Sequence, residues 1–266
     1  MTILNLSHEL AVLEVSGNDA ATYLQGQLTN DIHELATQPW QLSAHLNHKG
    51  RILANFIITR ADNDKYYLIS DREIINKVLP RLKLFVLRSK VTLNILEVSI
   101  YLADTPIDNG HNLNIAADNY LTITKTENQA AISDNNQWHK FLVTNGLPII
   151  YSMTQEKIIP QQVNLELLGG VNFKKGCYTG QEIVARTHYL GKVKRRMVRF
   201  SSNEQPQIGQ TIVSPQLDNQ ETGFVVDYYQ DATQYIGLAS VQLDCIDNLY
   251  LDIENKHHLI CTLLNQ

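Results

Sequence analysis

Residues 174–186 read Lys-Lys-Gly-Cys-Tyr-Thr-Gly-Gln-Glu-Ile-Val-Ala-Arg. Thr179 and Glu182 have the spacing of a capping box, in which each side chain answers a free backbone N–H at a helix start. Ile183 and Val184 then turn apolar, and Gly191 suits the helix end. The pattern predicts a helix beginning just after Cys177, with that thiol near the positive end of the helix dipole and Lys174 and Lys175 beside it. Those conditions lower a thiol pKa. Gly176 and Gly180 permit close backbone approach or unusual dihedrals. The bland alternative for a lone cysteine is a small buried hydrophobe.

Working outward, residues 10–15, 41–46, 52–59 and 66–69 read as strands rich in apolar and β-branched residues. Asp19 to Gln25 reads as a short helix. Ser70 and Glu73 suggest a second capping box, opening a helix with Ile74, Ile75, Val78 and Leu82 on one side, which Pro80 is expected to kink or end. Residues 91–95 and 99–102 return to strand. Residues 104–119, with Pro106, Gly110 and many Asn and Asp, read as a connecting loop. Residues 120–124 and 129–132 suggest paired strands. A helix follows from about Asp134 to Asn145-Gly146, with Trp138, Phe141, Leu142 and Asn145 on one face. After Gly191 come short strand candidates at 197–200, 211–213, 223–228, 235–241, 249–253 and 259–263, the signature of a small antiparallel barrel. The domain boundary is expected near 192, giving regions 1–192 and 193–266. The pattern alone gives an α+β fold with a β tail.

The chain has 266 residues, 44% hydrophobic and 18% charged. That composition supports a sizeable core and excludes a disordered chain. Neither a basic-then-apolar leader nor an apolar run of membrane-spanning length is seen, which predicts a cytoplasmic protein. Three cysteines at irregular spacing argue against a disulfide framework; Cys245 and Cys261 fall in strand-like core sequence. The nine histidines show no ligand spacing, so no preformed zinc or iron–sulfur site is expected. A net charge of −5 argues against general nucleic-acid binding. One local exception is the run Lys192, Lys194, Arg195, Arg196 and Arg199, which is either a solvated edge or a seat for an anionic ligand or partner.

Several ordered motifs resemble one family. Lys175-Gly176-Cys177-Tyr178, then Gly180-Gln181-Glu182, matches the hallmark of the YgfZ family of folate-binding proteins, relatives of the glycine-cleavage aminomethyltransferase. Gly17, Asp19-Ala20 and Leu24 through Asp31 resemble its first motif and Lys49-Gly50-Arg51 its second. Asn145 to Pro148, Ile159-Pro160-Gln161 and Asn164-Leu165 follow in the family's order. The resemblance implies two interleaved α+β units around a central channel, followed by a C-terminal β-barrel. It also implies a tetrahydrofolate ligand, with Trp138 matching a tryptophan of the family; Leu10 stands about where a second is expected.

A folate site needs a carboxylate for the pterin edge, rings to stack on and cations for the glutamate tail. Asp31 or Glu182 could read the pterin, Trp138 and Tyr178 could stack, and Arg186 or the 192–199 cluster could hold the tail; Gln181 belongs to the same motif. Glu182 and Arg186 are equally spaced for a plain surface ion pair. In the aminomethyltransferases the segment matching Lys49 to Ile52 continues into an acidic pair, whereas here it continues Leu53-Ala54-Asn55. The expectation is therefore a folate-binding accessory protein that supports iron–sulfur cluster assembly or repair, and so tRNA modification by iron–sulfur enzymes. Cys177 would be its redox-active or transient ligand thiol. The rivals are an active tetrahydrofolate-dependent transferase, a direct tRNA-binding module and, more remotely, a cysteine hydrolase using His188.

Overall fold

The computed structural model describes residues 2–264 apart from 129, 253 and 255. In chain order the elements begin β1 (Ile3–Asn5), β2 (Leu10–Ser16), α1 (Ala20–Gln27), β3 (Gln41–Leu46), β4 (Ile52–Asp62), β5 (Lys65–Asp71) and α2 (Arg72–Leu84). They continue with β6 (Thr92–Ile95), β7 (Ser99–Ala103), β8 (His111–Ala116), β9 (Asn119–Thr124), α3 (Asn135–Asn145) and α4 (Gln181–Leu190). The last six strands are β10 (Arg195–Ser202), β11 (Thr211–Ser214), β12 (Gln220–Asp231), β13 (Gln234–Gln242), β14 (Leu249–Tyr250) and β15 (His258–Leu263).

Two open sheets form the first part, ordered β3-β4-β5-β2-β6 and β1-β7-β9-β8, and the last six strands close into a barrel, β10-β13-β12-β11-β14-β15. The fold is α+β, with few helices. The apolar run of β4 is buried from Ile52 to Thr59 because both sheet faces are covered. On one face α2 packs against β2, β4 and β5 through Ile74, Ile75, Val78 and Leu82. On the other, β3 and β4 share a cavity with β8 and α3. The barrel has its own core, built on Val198, Phe200, Ile212, Val225 and Leu259. Ordinary helix chemistry fixes α3: Asp134 accepts from Gln137 N–H at its start, and Gly146 ends it in the left-handed conformation at φ 62°.

Several local expectations are corrected. The start of α4 carries no capping box; its cap is Gly180 at φ 80°, with no side-chain bond, and Thr179 and Glu182 take no part. The cap of α2 is Asp71, which accepts from Ile74 N–H, while Ser70 ends inside strand β5. Pro80 does not end α2, which runs on to Leu84 on the strength of its buried face. Residues 104–119 are not one loop, because β8 lies among them with Leu113 and Ile115 buried. Ile132 bridges Leu4 of β1 and not β9, and residue 129, the first of that expected strand, lies outside the described residues. β14 covers only Leu249–Tyr250; residue 253 lies outside the described residues. Cys245 is buried in a short turn and Cys261 is half-buried in β15. Among the described residues no helix is long and apolar enough to cross a membrane.

Candidate functional site

A central cavity lies between the two sheets and α3. It is narrow: only about 20 Å³ of it admits the centre of a water-sized sphere. Leu10, Trp40, Leu42 and Ile57 line it from the first sheet and its approach, Ile115 from the second, and Trp138 with Leu142 from α3. Leu147, Pro148 and Ile149 close it after α3, and Asn55 and Ser70 are its polar side chains. Trp138 is 1% exposed and stacks on Phe141 at 5.7 Å. Asn55 donates to Pro148 O at 2.7 Å and accepts from Ile150 N–H at 2.9 Å, so its amide staples the wall. Ser70 Oγ is buried without a partner.

The three sequence motifs meet elsewhere. Lys175 is buried, and its ammonium donates to the carbonyls of Gln25, Leu28 and Asn30 at 2.7, 2.6 and 2.9 Å. Burial pushes that group down to about 8, with the Asp31 charge acting the other way. The Lys175 ammonium also sits 5.2 Å over the Tyr178 ring; Tyr178 is itself buried, and burial pushes its hydroxyl up to about 12. Asp31 is occupied locally, accepting from Gln25 Nε2 and from His33 N–H. Gly180 packs on Gly50, the second motif. Gln161 donates to Val184 O, and Asn164 bonds both N–H and C=O of Met197, tying α4 and the barrel to the same knot.

Cys177 is exposed on the outside of this knot. Lys175, turned inward to its three carbonyls, is not a cationic neighbour for it. None of residues 174–186 lines the central cavity, so the structure does not bring Cys177, Tyr178, Gln181, Glu182 or Arg186 to Trp138. Glu182 and Arg186 are both exposed, and among the described residues no ion pair joins them. Gly176 faces open space, which corrects the expectation of a close approach there. The His188 ring is taken up by Phe173, stacked at 3.8 Å.

The GCVT N-terminal domain matches residues 2–100. A tRNA-modifying protein YgfZ of Klebsiella pneumoniae is 29% identical over 92% of this chain and 82% of its own length. The YgfZ of Enterobacter sp. is equally similar over the same shares, and an uncharacterized protein of Haemophilus influenzae is 32% identical over 76% of this chain and 75% of its own. The chain belongs to the YgfZ family. Its fold is that of the glycine cleavage system aminomethyltransferase T of Bartonella henselae, with a TM-score of 0.77 over 99% of this chain and 85% of that one, at 13% identity.

In this YgfZ-family chain the basic run is divided. Arg195 bonds Glu221 O and pairs with its carboxylate at 3.7 Å. Arg196 bonds Gln161 O and pairs with Glu166, and Arg199 donates to Val143 O and Thr144 O at the end of α3. Lys192 and Lys194 stay exposed. Sequence reasoning passed over Trp40, which lines the cavity opposite Trp138 and donates from its indole to Asn114 O at 2.6 Å. Leu10, at the place of a missing second tryptophan, also lines the cavity. The available signal was an aromatic residue directly before a β-strand rich in apolar residues.

Proposed function

We propose that this chain is a cytoplasmic tetrahydrofolate-binding accessory protein that supports iron–sulfur cluster assembly or repair, and through it tRNA modification. The observation that carries the reading is the aminomethyltransferase fold around a cavity lined by two tryptophans and an apolar wall, which offers rings to stack on, while the carboxylate and cations of a full folate site lie outside this lining. A pteridine ring is recognised by stacking and by a few polar contacts. Ser70 Oγ, buried and unpartnered, is the group left to meet its edge. One-carbon transfer needs a residue to handle the amine or to stabilise the developing iminium charge. Asn55 stands near where the transferases carry their acidic pair, and both ends of its amide are already bonded to backbone. Binding without transfer is what such a site supports.

Cys177 is the exposed cysteine, in contrast to buried Cys245 and half-buried Cys261. Among the described residues no three His, Cys, Asp or Glu side chains gather as a metal site. The thiol therefore acts as a redox group or as one transient ligand shared with a partner protein. Quenching of tryptophan emission by tetrahydrofolate, lost in Trp138→Ala, tests the binding, and a methylene-tetrahydrofolate turnover assay tests the absence of transfer. Turnover by the wild-type chain, or no quenching, overturns the reading. Cys177→Ser tests the thiol: full activity of dependent iron–sulfur enzymes in cells carrying it removes that role.

A further inference from the structure

We infer that Asp227 is a positioning residue for the cavity: one buried carboxylate of the barrel holds both the helix that carries Trp138 and the segment that carries Pro148 and Ile149. The inference rests on the folate-binding reading for its ligand, and on geometry for its mechanism.

Asp227, on β12, is fully buried beside a register shift in that strand. Its Oδ1 accepts from His139 Nδ1 at 2.7 Å and from Tyr228 N–H at 2.7 Å, and its Oδ2 accepts from the Tyr151 hydroxyl at 3.1 Å. His139 adjoins Trp138 on α3, so the helix turns one residue to the cavity and the next to the barrel. Tyr151 follows Ile150, whose N–H is bonded to the cavity residue Asn55. The rest of the barrel-facing side of α3 is held in the same way. Asn136 bonds both backbone groups of Gln230, and Arg199 reaches Val143 O and Thr144 O. Helix α3 is thus a plate between barrel and cavity, and Asp227 is the point where both cavity walls are tied to the barrel.

The tie is titratable. The titratable groups around His139 are Asp227 from β12, Tyr151 from the segment after α3, and Tyr228 of β12 and Tyr235 of β13, which line one groove with it, while the charge of Glu9, before β2, also acts on it. Burial alone would push the imidazole down; the bond and charge of Asp227, with the charge of Glu9, outweigh it and hold His139 above its ordinary value. Tyr151 is pushed well up by burial and by the charges of Asp227, Asp71 and Glu9, so it stays a neutral donor. Below the His139 titration an imidazolium–carboxylate pair holds α3; above it a neutral imidazole gives one N–H without the charge. The hold on the Trp138 wall therefore weakens as pH rises, and ligand affinity falls with it.

The test uses the full chain carrying Trp40→Phe, which leaves Trp138 as its one tryptophan. Tetrahydrofolate affinity and ligand-free emission are followed from about pH 5 to about pH 9, the span in which a shifted histidine titrates. The parent should bind more tightly at low pH. Asp227→Asn and His139→Gln should each weaken low-pH binding by about fivefold or more, the lower range of coupling between distinct sites, and flatten the pH profile. Variants that bind as the parent does, or that lose affinity equally at every pH while keeping its profile, overturn the inference. If Asp227→Asn fails to fold, His139→Gln decides, since it removes the titrating group alone. If the wild-type chain binds no folate, the folate reading falls and the ligand-free emission of the Trp40→Phe parent decides: a pH-dependent shift present in that parent and absent in His139→Gln supports the inference, and an invariant emission overturns it.

Discussion

Gly50 and Gly180 pack backbone against backbone: a Cβ added to Gly180 would stand 3.0 Å from Gly50 Cα and 2.5 Å from the Asn47 carbonyl oxygen. Both residues hold positive φ, +70° and +80°. The turn after β3 and the start of α4 are docked through these two glycines, with the Ile183 side chain laid against Gly50, and α4 needs that dock because Val184 is its one buried residue. Gly180→Ala should cost about 2–4 kcal/mol, roughly 1–2 for the left-handed backbone and the rest for the clash. The contrast is Gly176→Ala, which meets open space and should stay within about 0.5 kcal/mol. Denaturant unfolding of the two variants checks both values.

Lys175→Met should destabilise by about 3 kcal/mol, because it strips the shared donor from three carbonyls around a buried site. Arginine should not rescue it, since a planar fork cannot aim one nitrogen at three converging oxygens. The pH dependence has a definite sign. The folded-state pKa of about 8 lies below the ordinary 10.5, so between those values the unfolded chain binds the extra proton and stability rises with pH. The methionine variant should lack that rise in a pH series of unfolding curves.

His45 predicts an acid effect. It is fully buried with Nδ1 at 3.0 Å from Gln27 O, and burial lowers it to about 4, with the Gln27 bond opposing and the Arg81 charge assisting. As pH falls from 6.5 to about 4 the unfolded chain takes the proton first, so about 3 kcal/mol of stability is lost across that window. His45→Gln should be flatter there, as read by unfolding midpoints.

Asn55→Asp puts a carboxylate into the cavity wall but removes the donor to Pro148 O at 2.7 Å. The expected outcome is a loss of about 2–3 kcal/mol and no gain of methylene-tetrahydrofolate formation. Turnover in this variant would mean that a single acid restores a latent transferase.

The strands and the barrel were legible because their apolar alternation survives in short windows: Leu13 and Val15 in β2, Val198 and Phe200 in β10. β8 was hidden because Pro106, Gly110 and a run of Asn and Asp outweighed the alternation of Leu113 and Ile115. Asn112 explains part of that composition, since its side chain bonds Ile107, Gly110 and Thr122 to shape the turn beside the strand. The start of α4 was misread because a capping-box spacing is local, whereas its real fixture is a contact with Gly50 from a distant turn. Trp138 was legible as a cavity residue through resemblance, but the separation of that cavity from the Cys177 knot depends on side-chain packing that no spacing encodes. The Lys192–Arg199 run looked like one patch because charge is visible in a sequence, while the carbonyls and carboxylates that absorb Arg195, Arg196 and Arg199 are not.

The barrel closes through its final strand, because β15 is the stave joining β14 to β10. Clipping the tail before His258 would leave a split cylinder with two bare rims of unanswered amide and carbonyl groups. Such rims invite pairing with another chain. The last strand thus guards against self-association, and proteolytic loss of a few C-terminal residues would be felt first as clumping and only afterwards as lost activity.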